Sequence, residues 1–119
     1  MRAERRRKVK FVSICSLKDT LSAIPPAATR QLLEATVAWV NQKKQAGTMR
    51  EIYGLAGWGR IIAIYEVESA EQIVQNVAEN PIGAFMDHEI YALADFDELM
   101  KLHIESLKRA EQLFPGAPK

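Results

Sequence analysis

Apolar and polar residues alternate along the first strongly patterned stretch of the chain. Residues 8–17 (KVKFVSICSL) have the period of two that is typical of a β-strand. Both faces of this strand carry apolar side chains, with Phe11 on one face and Ile14 on the other. Because a strand at a wet edge keeps one face polar, the pattern predicts a strand inside a sheet.

An amphipathic helix is predicted next. Pro25 and Pro26 interrupt the chain before it and Gly47 follows its last turn, so the helix is expected over residues 27–46. Its apolar residues recur at three- and four-residue spacing, as on one face of a helix. These residues are Leu32, Leu33, Thr36, Val37 and Val40.

A β-hairpin is predicted after this helix. Residues 48–56 and 60–67 have strand-like patterns and are joined by the glycine-rich turn Gly57–Trp58–Gly59. The second strand (RIIAIYEV) is rich in β-branched and aromatic residues, which makes it the most strongly β-like segment of the chain.

Three further elements complete the predicted fold. Ser69 and Gln72 have the spacing of a capping box, which predicts a second helix that stops before Pro81. Residues 84–93 (AFMDHEIYAL) predict a fourth strand. Residues 97–114 predict a third helix, with an apolar stripe that consists of Met100, Ile104, Leu107, Ala110 and Phe114.

The predicted order is β-α-β-β-α-β with an additional C-terminal helix. This is the order of a ferredoxin-like α+β fold, in which two helices cover one face of an antiparallel sheet. A single domain is expected over residues 8–114, between a basic tail at residues 1–7 and a short tail at residues 115–119.

Such a sheet has a second face that the helices leave bare. Phe85, Tyr91 and Tyr65 are expected to lie within reach of this face. Because a large exposed apolar surface is usually covered, we expect a homodimer or a larger homo-oligomer.

The composition narrows the classes of partner. The chain has 119 residues, enough for one domain with a core, and 48% of them are hydrophobic, which argues against a disordered protein. Its 16 basic and 15 acidic residues leave a net charge of +1, which favours neither nucleic acid nor a membrane as a partner. There is no run of about 18 apolar residues, so no transmembrane helix is expected.

Cysteine usage and the N-terminal pattern bear on location. The single cysteine, Cys15, forms no internal disulfide and has no metal ligand at a useful spacing, so a reduced compartment is expected. A β-like stretch without a small-residue cleavage site follows the basic start, which disfavours a signal peptide. The expected location is the cytoplasm, and the basic cluster is interpreted as a solvated tail.

Two stretches of the sequence carry a resemblance to a known family. The first is residues 47–57 (GTMREIYGLAG), continuing through the following strand to Ser69, and the second is residues 80–90 (NPIGAFMDHEI). Together they resemble the muconolactone delta-isomerase family over residues 9–93. The third helix lies beyond the usual end of that family, and His88 stands where an apolar residue is common.

The resemblance implies small ferredoxin-like subunits that assemble into oligomers. It also implies a reaction that shifts a double bond in an unsaturated lactone without a metal or an organic cofactor. Such a shift needs one base that removes a proton and returns it elsewhere, and one donor that stabilises the dienolate oxygen.

The predicted fourth strand offers the best candidates for the base. Its period of two places four residues on one face, Phe85, Asp87, Glu89 and Tyr91. Acids between aromatic side chains are costly to bury unless they are paired or protonated, which favours a role as a base. We predict that Glu89 is the proton shuttle and that Asp87 tunes it by its like charge. The alternative is that both acids are solvated or ion-paired at an edge.

The remaining candidates are predicted to bind the substrate. A guanidinium holds a carboxylate through two hydrogen bonds, which makes Arg50 the leading clamp, although an ion pair with Glu51 or Glu66 is the alternative. Aromatic residues expected to contact the substrate are Tyr53, Tyr65, Phe85 and Tyr91. Tyr53 and Tyr65 are alternatively core residues.

Two residues with chemical potential are interpreted as structural. His88 faces away from the acids on the fourth strand and is expected to be a buried histidine bonded to a backbone carbonyl. Cys15 lies among apolar residues and is expected to be an inert packing residue.

The sequence therefore predicts a cofactor-independent isomerase that acts on a small unsaturated lactone or acid. Two alternatives stay open. One is a non-catalytic small-molecule binder or assembly module of the same fold, and the other is a cofactor-free monooxygenase-like enzyme.

Overall fold

A computed structural model describes residues 8–57 and 59–116 of the chain. The predicted basic tail and Trp58 of the predicted turn lie outside the described residues. The elements, in chain order, are β1 (Val9–Leu17), α1 (Pro26–Gln45), β2 (Met49–Gly54), β3 (Arg60–Val67), α2 (Ala70–Glu79), β4 (Met86–Ala92) and α3 (Phe96–Leu113). Short 3₁₀ turns precede α1 and β4, at Asp19–Ala23 and Gly83–Phe85.

The four strands form one antiparallel sheet in the order β2-β3-β1-β4. The strand β1 is internal, as its two apolar faces predict, and the α+β prediction is confirmed. The predicted capping box also forms in part, because the Ser69 hydroxyl accepts from the backbone N–H of Gln72 over 3.2 Å. The Gln72 side chain accepts in turn from the backbone N–H of Glu68.

The helices α1 and α2 cover one face of the sheet and form the core with it. One cluster consists of Phe11, Trp39, Met49, Ala63, Tyr65, Val67 and Ile73. A second cluster, towards the other end of β1, consists of Cys15, Leu21, Ile82 and Met86. Because the odd-numbered residues of both β1 and β3 face the helices, these two central strands supply most of the sheet side of the core.

The structure corrects the predicted positions of two aromatic residues. Tyr65 is only 3% exposed and packs beneath the helices, because it pairs with the core residue Phe11. Phe85 precedes β4 and lies in the 3₁₀ turn, where its N–H donates to Ile82 O over 2.9 Å. Its side chain packs against the second core cluster, on the helix-covered side. Neither residue lies on the bare face.

The opposite face of the sheet, called the uncovered face below, has no described element packed on it. An apolar strip of half-buried residues runs along its centre and consists of Val12, Ile14, Ile62 and Ile64. These residues pair directly across β1 and β3, Val12 with Ile64 and Ile14 with Ile62. The predicted bare face is therefore present, and its centre is aliphatic.

The helix α3 stands away from the rest of the molecule. It confirms the predicted terminal helix to within one residue at each end, and none of its residues is buried. The Cα radius of gyration is 20.0 Å, whereas a compact chain of this length has a radius of about 13.5 Å. The projecting helix contributes to this difference.

Candidate active site

The strand β4 places three of the predicted site residues, Asp87, Glu89 and Tyr91, on the uncovered face. All three are exposed, and Met86, His88 and Ile90 alternate with them towards the helices. Their partners across the ladder on β1 are Ser16, Ile14 and Val12, respectively. The period-two prediction for these three residues is thus correct, and Glu89 lies beside the apolar strip.

Glu89 and Tyr91 form a hydrogen-bonded pair. The Tyr91 hydroxyl donates to Oε2 of Glu89 over 3.0 Å. This hydrogen bond, and the negative charge of Glu89, raise the pKa of Tyr91. A hydroxyl donor and a carboxylate acceptor therefore stand side by side on this face. Enolisation requires this combination of a base and a hydrogen-bond donor.

A second pair of the same kind lies at the opposite edge of the uncovered face. The Tyr53 hydroxyl donates to Oε1 of Glu51 over 3.2 Å on β2. Tyr53 pairs with Ile62, and Ile62 pairs with Ile14, the cross-strand partner of Glu89. Because β2 and β4 are three strand spacings apart, the two Glu–Tyr pairs flank the apolar strip at a separation of about 14 Å.

Arg50 is not brought to the predicted acids. It lies at a β-bulge on β2, the edge strand opposite β4, and its Nε is 3.8 Å from Oε1 of Glu66. The whole width of the sheet therefore separates its backbone from Glu89. This arrangement agrees with the ion-pair alternative.

Arg60 is a cation at the end of the sheet that the sequence patterns did not single out. It pairs with Ser16 across the ladder, and Ser16 pairs with Asp87, so Arg60 and Asp87 stand about 10 Å apart in one row. The Arg60 side chain has no hydrogen bond or ion pair with any residue in the described part of the chain. The sequence shows Arg60 at the start of β3. Only the strand order and register, however, show that Arg60 lies in one row with Asp87.

Asp87 marks the end of the uncovered face at which a cavity opens. Its Oδ1 is 3.9 Å from Nζ of Lys18, a pair that is largely solvated. Lys18, Ser16 and Arg60 also line a cavity of about 880 Å³ between the end of the sheet, the 3₁₀ turn Asp19–Ala23 and the start of α1. The cavity is large enough for a small molecule, and Lys18 connects Asp87 to it, although neither Asp87 nor Glu89 is among its lining residues.

A smaller apolar cavity of about 260 Å³ adjoins the first. The two cavities share Leu17, Leu33, Gly59 and Arg60 in their linings. The smaller cavity continues under the helices between Ile61, Ile82 and Met86. Its lining residues are mostly apolar and include no carboxylate. The smaller cavity therefore suits the apolar part of a ligand but contributes no base.

A chain of polar side chains runs through the helix-covered side of β1 and β4. The His88 Nε2 donates to the Gly83 carbonyl over 3.3 Å, which leaves Nδ1 free to accept from the Cys15 thiol at 3.2 Å. The Ser13 hydroxyl lies 3.3 Å from the same sulfur. Burial raises the pKa of the Cys15 thiol, against the opposing effect of the Ser13 hydrogen bond. The thiol is therefore protonated, and the predicted carbonyl contact of His88 is confirmed.

Within residues 8–57 and 59–116, no group of three or more His, Cys, Asp or Glu side chains is placed to hold a metal ion. None of the helices in these ranges is long and apolar enough to cross a membrane.

Comparison with known proteins identifies the family. The family model of muconolactone delta-isomerase matches residues 16–99, which is most of the chain. The chain belongs to the muconolactone delta-isomerase family. The matched range includes β2, β3 and β4 with Arg60, Glu89 and Tyr91, whereas most of α3 lies beyond it.

A solved structure of a member of the muconolactone delta-isomerase family has the same fold. A crystal structure of muconolactone isomerase at 3.3 Å resolution superimposes with a TM-score of 0.64 at 22% sequence identity. The match covers 72% of this chain and 88% of the other. No curated protein sequence matches this chain significantly.

Proposed function

We propose that this chain is an isomerase that moves a double bond within a small unsaturated lactone bearing a carboxylate, with Glu89 as the proton shuttle. Muconolactone, the compound in the family's description, is the first substrate to test. The observation that supports the proposal most directly is the Glu89–Tyr91 pair beside the apolar strip of the uncovered face.

The reaction needs no oxidant and no added group. The Glu89 carboxylate removes a proton from a carbon that the lactone carbonyl acidifies, and the electron pair of the broken C–H bond moves towards the carbonyl oxygen. Once Glu89 carries that proton, the Tyr91 hydroxyl turns away from Glu89 and donates to the carbonyl oxygen while it carries negative charge. Glu89 then returns the proton to a different carbon of the conjugated system, so the double bond has moved and the carboxylate is regenerated.

Arg60 takes the part that the sequence assigned to Arg50. A guanidinium that has no hydrogen bond or ion pair with a described residue is available to bind the carboxylate of a substrate. The row that contains Arg60 and Asp87 lies two residues from Glu89 along the strand, which is about 7 Å. Arg60 is also two strand spacings, about 10 Å, from β4, so the arginine side chain and the lactone together have to span about 12 Å between the two backbones.

A second copy of the chain is proposed to cover this site. Tyr91 is 53% exposed, and water on the uncovered face would screen the charges that the reaction develops. Covering the apolar strip with another copy excludes this water. We therefore propose that the active form is a homo-oligomer, as is expected for a sheet with one bare apolar face.

Proton transfer in deuterated water tests the function. The purified chain is mixed with muconolactone in D₂O and followed by ¹H NMR. The proposal predicts a shifted double bond without consumption of oxygen, and deuterium at the newly protonated carbon to the extent that the Glu89 carboxyl exchanges its proton with solvent before it returns it. Substrate that binds but neither isomerises nor exchanges its protons would contradict the proposal and favour a non-catalytic binder. Oxygen uptake with an oxidised product would indicate a monooxygenase.

A further inference from the structure

The helix α3 carries a row of mostly apolar side chains along its whole length. Six positions, separated in turn by four, three, four, three and four residues, lie on one side of the helix. We call this row the α3 seam, and it consists of Phe96, Met100, His103, Leu107, Ala110 and Phe114. Alternating steps of three and four residues are the spacing by which two helices pack along each other in a coiled coil.

The α3 seam stays largely exposed within its own chain. None of the residues of α3 is buried. Phe96 and Phe114 are each 69% exposed, and Leu107 is 67% exposed. Because a helix in a protein owes most of its stability to the packing of its apolar side, a seam with this spacing is expected to pack against another helix.

Two copies of α3 that run in opposite directions match each other seam to seam. With the middle of one helix set beside the middle of the other, every seam residue of one copy faces a seam residue of the second copy. The three kinds of facing pair are Phe96 with Phe114, Met100 with Ala110, and His103 with Leu107. Each kind occurs twice, so the arrangement is two-fold symmetric and closes as a pair.

The antiparallel arrangement packs better than a parallel one. In a parallel pair each seam residue would face its own counterpart, so two His103 imidazoles would meet at the centre and two Ala110 methyl groups would leave a gap. In the antiparallel pair the small Ala110 faces the long side chain of Met100, and His103 faces an aliphatic residue. The antiparallel direction also brings opposite ends of the two helix dipoles together.

The residues beside the seam extend the apolar contact. On one side Leu99 lies next to Leu113 of the second copy, and on the other side Ile104 lies next to its own counterpart. In the single chain Leu113 is 73% exposed and Ile104 is 53% exposed. Asp97 and Glu111 approach each other only at the solvated rim, where a pair of like charges costs little. The seam and its flanks therefore form one surface that is complementary to itself.

We infer that α3 is a pairing helix, which binds α3 of a second copy of this chain as a two-stranded antiparallel coiled coil. The pairing uses no residue of the sheet, so it is separate from any contact of the uncovered face. Most of α3 lies beyond residue 99, where the family match ends, so this interface is a feature of this chain rather than of the matched region. The inference concerns assembly and does not depend on the proposed activity.

A charge placed in the α3 seam tests whether α3 mediates association. Leu107→Lys adds one positive charge to the seam, and Gln112→Lys adds the same charge about 140° around the helix, on its outer side. Lysine is a good helix former and Leu107 is exposed, so both variants are expected to keep the fold of the chain by circular dichroism.

Sedimentation equilibrium then compares the association of the three proteins. We expect Gln112→Lys to have the same average mass in solution as the full chain, and Leu107→Lys to have a lower one, with the Kd of the α3 pair raised by about 10-fold or more. A monomeric full chain would overturn the inference. So would a Leu107→Lys variant that associates as tightly as the Gln112→Lys control.

Disulfide formation tests the direction of the pair. Two variants, both with Cys15→Ser, carry a single new cysteine each, one from Met100→Cys and the other from Ala110→Cys. The two positions lie about 15 Å apart along the helix, so an antiparallel pair brings the Met100→Cys thiol of one chain to the Ala110→Cys thiol of the other. The variants are mixed, allowed to exchange subunits and mildly oxidised, and the disulfide-linked species are identified by mass spectrometry.

The inference predicts disulfides between one chain of each kind and few between two chains of the same kind. Disulfides mainly between two chains of the same kind would show that the helices pair in parallel. A mixture without disulfides would show that the two helices do not meet. Either of these results would overturn the inference.

Discussion

The hydroxyl of Tyr91 donates to the carboxylate of Glu89 over 3.0 Å, and both residues lie on a sheet face that no described element covers. The pleat of a single strand produces this arrangement, because residues two apart on a strand share a face. A proton acceptor and a proton donor thus stand side by side at the edge of an aliphatic strip. The proposed chemistry follows from this pair rather than from the covered core.

Removing the donor of this pair is expected to slow the chemical step. Tyr91→Phe keeps the ring but takes away the hydroxyl that would stabilise the dienolate oxygen, so kcat should fall by about 10²-fold. Tyr53→Phe makes the same change in the pair at the other edge and should leave kcat within about two-fold. Steady-state kinetics with muconolactone measures both, and equal losses in the two variants would contradict the assignment.

Replacing Arg60 is expected to weaken substrate binding. Arg60→Ala removes the guanidinium proposed to hold the substrate carboxylate, so KM should rise by about 10-fold or more with a much smaller change in kcat. Arg50→Ala is the matched control, because its guanidinium lies beside Glu66 at the opposite edge. A KM that rises in the Arg50 variant and not in the Arg60 variant would restore the original expectation.

The buried Tyr65 makes the stability of the fold depend on pH in the alkaline range. Burial raises the pKa of Tyr65, whereas tyrosine in the unfolded chain ionises at about pH 10. Above that pH the unfolded state has lost a proton that the folded state keeps, so the free energy of unfolding falls as the pH rises. Tyr65→Phe removes this contribution.

Urea unfolding at pH 8 and at pH 11 measures the effect. The loss of stability between the two pH values should be smaller for Tyr65→Phe than for the original chain. An identical loss in both proteins would show that Tyr65 ionises equally easily in the folded and unfolded states.

Local patterns of the sequence predict most of the fold. The period of two in residues 84–93 correctly places Asp87, Glu89 and Tyr91 together, and Pro25, Pro26 and Ser69 mark helix starts correctly. These features depend on residues near one another in the chain, so they can be derived before the strand order is known.

Features that depend on strand order and register were not predictable from these patterns. β3 is apolar on both faces, so its sequence does not decide whether Tyr65 or Ile64 points to the helices. The hydrogen bonds of the Gly83–Phe85 turn start β4 two residues later than its composition suggests. Arg60 replaces Arg50 as the candidate cation because β3 pairs with β1, a pairing that the local patterns do not reveal.

The turnover of Glu89→Gln tests the central claim most directly. This variant keeps the size and shape of the side chain and removes the base, whereas Glu51→Gln makes the same change in the matching pair on β2. With muconolactone in D₂O, we expect Glu89→Gln to lose about 10²-fold or more in kcat and in deuterium incorporation, with little change in substrate binding, and Glu51→Gln to stay near the original rate. A Glu89→Gln variant that turns over as fast as the original chain would contradict the assignment of Glu89 as the proton shuttle.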